Sequence, residues 1–220
     1  MPQSVGKAVS DLDYWFVIGG QAIRCLWPYR PSRDVDFGVL DARDLHQLVD
    51  ALEQRGEVEI IERGDDTVHL RFGGIDLSIF VLELLGPFVD DQRLNVTGLL
   101  ATKLHAILDR GTRRDFFDLY VLLHRNSLGI AECLVAIREV FRQHVNEPLV
   151  LRALTYFEDA QREAPLPGEG EGDWASVKEF FLTRVGSLLI PPARELEIQR
   201  LEVDVGIGSP GNVSDPKISQ

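Results

Sequence analysis

The order of segment types along the chain predicts an α+β fold. Strand-like runs at 14–18 and 34–39, then EVEII, TVHLRF and IDLSIFVL, all precede Pro87, and beyond it apolar residues recur at helical spacing. A third feature suggests what the early part is for. The stretch FVIGGQAIRCLWPYRPSRDVDFGV joins an apolar strand to a helix through Gly19-Gly20, then enters a second strand carrying Asp34 and Asp36.

The elements follow from local signals. A short helix over 3–11 leads into the strand at 14–18. The helix starting at Gly20 or Gln21 must stop before Pro28, and Pro31 and Ser32 turn the chain. Residues 42–55 place Leu45, Leu48, Val49 and Leu52 on one helical face, closed by Gly56. The turn signals RGDD and GG separate three further strands. Helices are expected over 97–109, 115–125, 130–145, 147–162 and 174–189, with APLPGEGEGD at 164–173 as an acidic linker. The C-terminal VGIGSPGNVSDPKISQ has no apolar periodicity and reads as loosely held. The expected organisation is an α/β core over 1–90, a helical part over 91–200 and a tail over 201–220.

Composition narrows the function. The 220 residues include 23 Lys plus Arg against 35 Asp plus Glu, a formal charge of −12. Such a surface repels nucleic acid on average, although a local basic cleft can oppose the net charge. Cys25 and Cys133 lack metal-ligand spacing and read as free thiols of a reducing compartment. The N-terminus carries no secretory leader, and no apolar run approaches the ~20 residues that a bilayer requires. A cytoplasmic protein without a membrane partner is the expectation. His46, His69, His105, His124 and His144 show no metal-binding spacing and read as ordinary surface or helix residues. Trp15, Trp27 and Trp174 read as packing residues.

The D-x-D strand carries the chemistry. Residues i and i+2 of a strand share a face, so Asp34 and Asp36 point one way and Val35 and Phe37 the other. Two carboxylates that close repel unless a cation sits beside them. Mg²⁺ suits such oxygen ligands and completes its shell with water and substrate phosphates. Asp76, set between Ile75 and Leu77, either joins them as a third ligand, caps the turn after Gly73-Gly74, or pairs with an arginine. Gly19-Gly20 is either a tight strand-to-helix turn without a ligand or, combined with the D-x-D strand that follows, a helix start whose exposed N–H groups face an anion, a phosphate cradle beside the metal site. Further along, Lys103 and Arg110 lie two turns apart on one helix face, and Asp115 and Asp118 share a face of the next. A Lys–Arg face meeting an Asp–Asp face suits a triphosphate clamp, or else an ordinary salt-bridge network. Arg114 stands at i−4 to Asp118 and is within reach of it.

The stretches FVIGGQAIRCL, RPSRDVDFGV and KLHAILDRGTRRDFFDLYVLL resemble the nucleotidyltransferase superfamily that includes polymerase-β-like enzymes. More narrowly they resemble the AbiEii/AbiGii toxin family, to which the MenT-type toxins are related. The resemblance implies a nucleotidyltransferase-fold mixed sheet with flanking helices and a helical C-terminal part. It implies a Mg²⁺-dependent enzyme that moves a nucleotide from an NTP to an acceptor hydroxyl and releases pyrophosphate. A toxin role, tRNA as acceptor and a cognate antitoxin as partner follow from it. Lys103 would bind nucleotide phosphates, with Gly19, Gly20, Ser32 and Arg110 beside it. Asp118, or Asp115 if it is not consumed as a cap, would be a catalytic or orienting carboxylate. Two alternatives stay open: nucleotidyl transfer to a small molecule (as in antibiotic adenylylation) or a protein, and a non-catalytic binding module of the same fold.

Overall fold

In the computed structural model, residues 1–26, 34–142 and 145–189 are described. Ser32, Trp27, His144 and the expected tail lie outside them. Met1–Val185 forms one compact unit. A second unit starts at Gly186, and its described residues are the end of the last helix.

The chain runs α1 (Gln3–Val9), β1 (Phe16–Ile18), α2 (Gly19–Leu26), β2 (Val35–Val39), α3 (Ala42–Arg55), β3 (Val58–Arg63), β4 (Thr67–Phe72) and β5 (Ile75–Val81). A 3₁₀ turn over Glu83–Phe88 leads to β6 (Val89–Asp90) and β7 (Arg93–Leu94). Helices α4 (Val96–Asp109), α5 (Arg113–Asn126), α6 (Ile130–Phe141), α7 (Glu147–Ala153), α8 (Glu158–Arg162) and α9 (Asp173–Leu189) follow. Strands first and helices later give the expected α+β order.

The strands form one sheet in the order β3-β4-β5-β2-β1-β7-β6. β2 runs antiparallel to β1 and parallel to β5. Alternation sorts its side chains. Val35, Phe37 and Val39 of β2, Leu77 and Ile79 of β5, and Val68, Leu70 and Phe72 of β4 are buried. They meet α3, whose buried stripe is Leu45, Leu48, Val49 and Leu52. Trp15 packs edge-on against Phe37 and donates from Nε1 to the Val9 carbonyl, the packing role expected of it. The other face of the sheet carries Asp36, Ser78 and His69, together with Ile18 and Phe80.

Three local expectations differ from the structure. The β6–β7 hairpin extends the sheet past residue 90, where the helical part was expected to start, and β7 lies parallel to β1. Its turn residues, Asp91 at φ 46° and Gln92 at φ 60°, are both left-handed, as a two-residue primed turn requires. No glycine or asparagine marks that turn, so the sequence carried no hairpin signal. The helix expected over 147–162 divides into α7 and α8. The Thr155 hydroxyl donates to the carbonyls of Leu151 and Arg152, and Phe157 packs against Phe116. The acidic linker is anchored: Glu169 accepts both Arg113 Nε and the Leu166 N–H, and Arg113 stacks over Trp174 at 4.6 Å.

Phe116 is fully buried, with ring centroids of Phe157, Trp174 and Phe181 within 6.0 Å. Phe116→Ala is expected to cost about 3–5 kcal/mol, through lost apolar transfer and an unfilled cavity, in urea unfolding monitored by tryptophan fluorescence.

Candidate active site

The sheet face that carries Asp36 and the helices over it enclose a cleft of about 370 Å³. Gly19 and Gly20 form one wall, Asp34 and Asp36 the floor, and Lys103, Arg110 and Arg114 the opposite side. The glycine bend and the acidic doublet therefore face the same space.

Strand pairing explains the closeness. Ile18 is the Cα partner of Asp36 across β1 and β2, so the residue after Ile18 turns directly over that carboxylate. Gly19 has φ +64°, and a Cβ there would lie 2.2 Å from Asp36 Oδ2. Both the backbone conformation and the space require glycine. Burial, and then the charge of Asp34, push the Asp36 carboxyl above its usual range, against the lowering pull of Lys103, Arg114 and Arg110. Asp34 accepts from Arg114 Nη1 at 3.4 Å, whereas the sequence had aimed Arg114 at Asp118.

The cations come from α4 and α5. Thr102, Lys103, Ala106 and Arg110 line the cleft along one stripe of α4. Lys103 Nζ donates to Asp118 Oδ2 at 2.6 Å, with side chains 5% and 0% exposed. Burial pushes the Asp118 carboxyl well above the usual range. Arg110 grips Asp115 with two hydrogen bonds, Nε to Oδ2 at 2.8 Å and Nη2 to Oδ1 at 2.9 Å. Burial acts to raise Asp115, but the hydrogen bonds from Arg110 and Thr112 outweigh it and hold the carboxyl below its usual range. Thr112 is the N-cap of α5 and its hydroxyl donates to Asp115. Asp115 is thus in the first turn of α5 and is not its cap.

Several expectations change here. Asp115 and Asp118 line no part of the cleft; both are fully buried behind the cations they hold. Asp76 is also not a cleft residue. Its side chain is 65% exposed and accepts from Arg71 Nε at 3.0 Å, and Arg71 also binds Glu59. The contact is the arginine pairing among the three alternatives, and Ser78 is the Cα partner of Asp36 on β5. Ser32 falls outside the described residues. Reading His69 as an ordinary residue missed its place: with Ser78 and Phe80 it closes the cleft on the β4–β5 side. The signal was strand parity, because Val68, Leu70 and Phe72 face the core and so turn His69 to the other face.

The structure thus sets a carboxylate doublet under a glycine bend, facing Lys103, Arg110 and Arg114 on a mixed sheet. The comparisons give the family. The description "Nucleotidyl transferase AbiEii toxin, Type IV TA system" matches residues 75–196, more than half of the chain, and the chain belongs to that family. The Aquifex aeolicus (strain VF5) protein aq_aa25 is 25% identical over 186 residues, which is 80% of this chain and 88% of that relative. Among solved structures, an H. pylori chain assigned as a nucleotidyltransferase is 15% identical, with TM-score 0.50 over 84% of this chain and 92% of its own, a likeness of fold. The antibiotic-resistance factor ANT(2'')-Ia reaches TM-score 0.49 at 14% identity over 63% of this chain and 88% of its own.

Two outcomes follow. Gly19→Ala forces the Asp36 carboxylate aside and should lower NTP affinity at least tenfold by calorimetry, while the chain remains folded by circular dichroism. Asp36 is raised in the folded state, so its contribution to stability is full below the ordinary aspartate value and is lost as pH rises through the folded value. Asp36→Asn should therefore raise Tm at pH 7 in metal-free buffer, and the gain should vanish as the pH falls below about 3.9.

Proposed function

We propose that this chain is a Mg²⁺-dependent nucleotidyltransferase whose cleft binds an NTP and passes its nucleotide to an acceptor hydroxyl, with tRNA as the acceptor. The observation that carries this reading is the shared cavity: Gly19 lies against Asp36, and Lys103, Arg110 and Arg114 stand across from them. Mg²⁺ suits the donor set, because Asp34 and Asp36 are oxygen ligands on one face whose mutual repulsion a divalent cation relieves. When bound, the metal neutralises charge on the phosphate oxygens and on the departing pyrophosphate.

The remaining work falls to the chain's own groups. The N–H groups at the start of α2 face the phosphates, and glycine allows their close approach. Ser32, before the doublet, is assigned to the same cradle. Lys103 and Arg110 supply positive charge to the β- and γ-phosphates. Asp118 and Asp115 hold those two cations in place, so they act through them as positioning residues. Family membership supports a toxin role with a cognate antitoxin as partner. A second reading, a small-molecule or protein acceptor, draws on the formal charge of −12, which disfavours a broad RNA-binding face.

The test is incubation with each α-labelled NTP, Mg²⁺ and total tRNA. Label should enter RNA with the wild-type chain, and Asp34→Asn and Asp36→Asn should abolish it. Label found only on protein or small molecules favours the second reading, and no label anywhere removes both. Asp118→Asn should raise the KM for NTP about tenfold or more, because Lys103 loses the partner that fixes it.

A further inference from the structure

The cleft contains a pair of side chains that the phosphate and metal roles leave unused. His69 Nδ1 lies 2.9 Å from Ser78 Oγ, and the imidazole meets the Phe80 ring edge-on at 5.8 Å between centroids. Both residues border the same cavity as Asp36. Their place along the sheet is set by register. Ile18, Asp36, Ser78 and His69 are successive Cα partners across β1, β2, β5 and β4. At ~4.8 Å per strand, the row runs from the glycine bend past the acidic doublet to the imidazole.

That order has a chemical direction. In nucleotidyl transfer the attacking oxygen and the leaving oxygen stand on opposite sides of the phosphorus. If the leaving pyrophosphate is held at the β1 end, under Gly19 and Lys103, the attacking hydroxyl enters from the β5–β4 end. The carboxylates expected on the acceptor side, Asp118 and Asp115, are buried against Lys103 and Arg110, and Asp76 is paired with Arg71. His69 and Ser78 border the cavity at that end.

We propose that His69, oriented by Ser78, receives the acceptor hydroxyl and takes its proton. The inference rests on the transferase reading above and adds the acceptor side of the same site. With Nδ1–H donated to Ser78 Oγ, the lone pair is on Nε2, and among the described residues no hydrogen bond reaches that atom. As the acceptor oxygen bonds to the α-phosphorus, its proton passes to Nε2. The bond from the α-phosphorus to the bridging oxygen breaks, and pyrophosphate leaves with that electron pair. The imidazolium then returns its proton to solvent.

Charged groups surround the imidazole on every packed element. Glu62 of β3 is its Cα partner, the Arg71–Asp76 pair lies on the adjoining strand positions, and Asp36 and Asp34 lie beyond Ser78. Lys103 and Arg110 of α4 and Arg114 of α5 line the same cavity.

The experiment compares wild type, His69→Gln, His69→Ala and Ser78→Ala in single-turnover transfer from α-labelled NTP to total tRNA across pH, with Mg²⁺–NTP affinity measured by calorimetry. His69→Gln should bind NTP normally, transfer about 100-fold more slowly or worse, and lose an acid limb present in the wild-type pH profile. Added imidazole should restore part of the rate to His69→Ala, and Ser78→Ala should fall between. Wild-type rate and an unchanged pH profile in His69→Gln overturn the proposal, as does a loss that only tracks weakened NTP binding. A wild-type chain that binds Mg²⁺–NTP but labels no RNA overturns the RNA-transfer reading, and this inference with it.

Discussion

The approach of Gly19 to the Asp36 carboxylate is the constraint around which the rest of the site is arranged. It exists because β1 and β2 pair with Ile18 opposite Asp36, and the chain then bends over that side chain with no Cβ between them. The contact joins the bend that opens α2 to the strand that carries the acidic doublet. It also holds a carboxylate in half-buried surroundings beside a second carboxylate, where the charged form is disfavoured without a counter-ion. Stability has been conceded at the point where a ligand would restore it.

Across the cleft, α4 and α5 solve a related problem. A lysine and an arginine facing the cleft would be costly and poorly directed if left without partners at a partly buried position. Asp118 and Asp115 hold them from behind, one by a single short bond and the other by a bidentate grip. Removing one partner of the buried Lys103–Asp118 pair leaves an uncompensated charge, a change that ordinarily costs about 3–5 kcal/mol. Positioning and folding are therefore linked through the same carboxylates. The aromatic group around Phe116, together with Glu169 bound to Arg113, fixes α5 and so the direction in which those carboxylates point.

Much of this was legible before any coordinates. The helix over Ala42–Arg55 is the one its leucine spacing specifies, and the strands at β2, β4 and β5 fall where alternation and turn residues put them. Residues Gly19, Gly20, Asp34, Asp36, Lys103 and Arg110 all reach one cavity. The β6–β7 hairpin stayed hidden because Gln92 adopts left-handed backbone that its identity does not advertise, and no glycine follows Asp91. Asp76 was ambiguous because a strand carboxylate looks the same in sequence whether an arginine or a metal partners it.

The sequence by itself determined the local order of strands and helices, and which residue types were offered to chemistry. Spacing and backbone preference are short-range properties and act within a few residues. Only the tertiary structure decided which carboxylates share a cavity and which are spent on arginines, since that depends on strand register and helix packing. Asp118 lies fifteen residues from its lysine and His69 nine from its serine. Partners at that range are chosen by the folded sheet and the helices laid on it, and no local pattern encodes the choice.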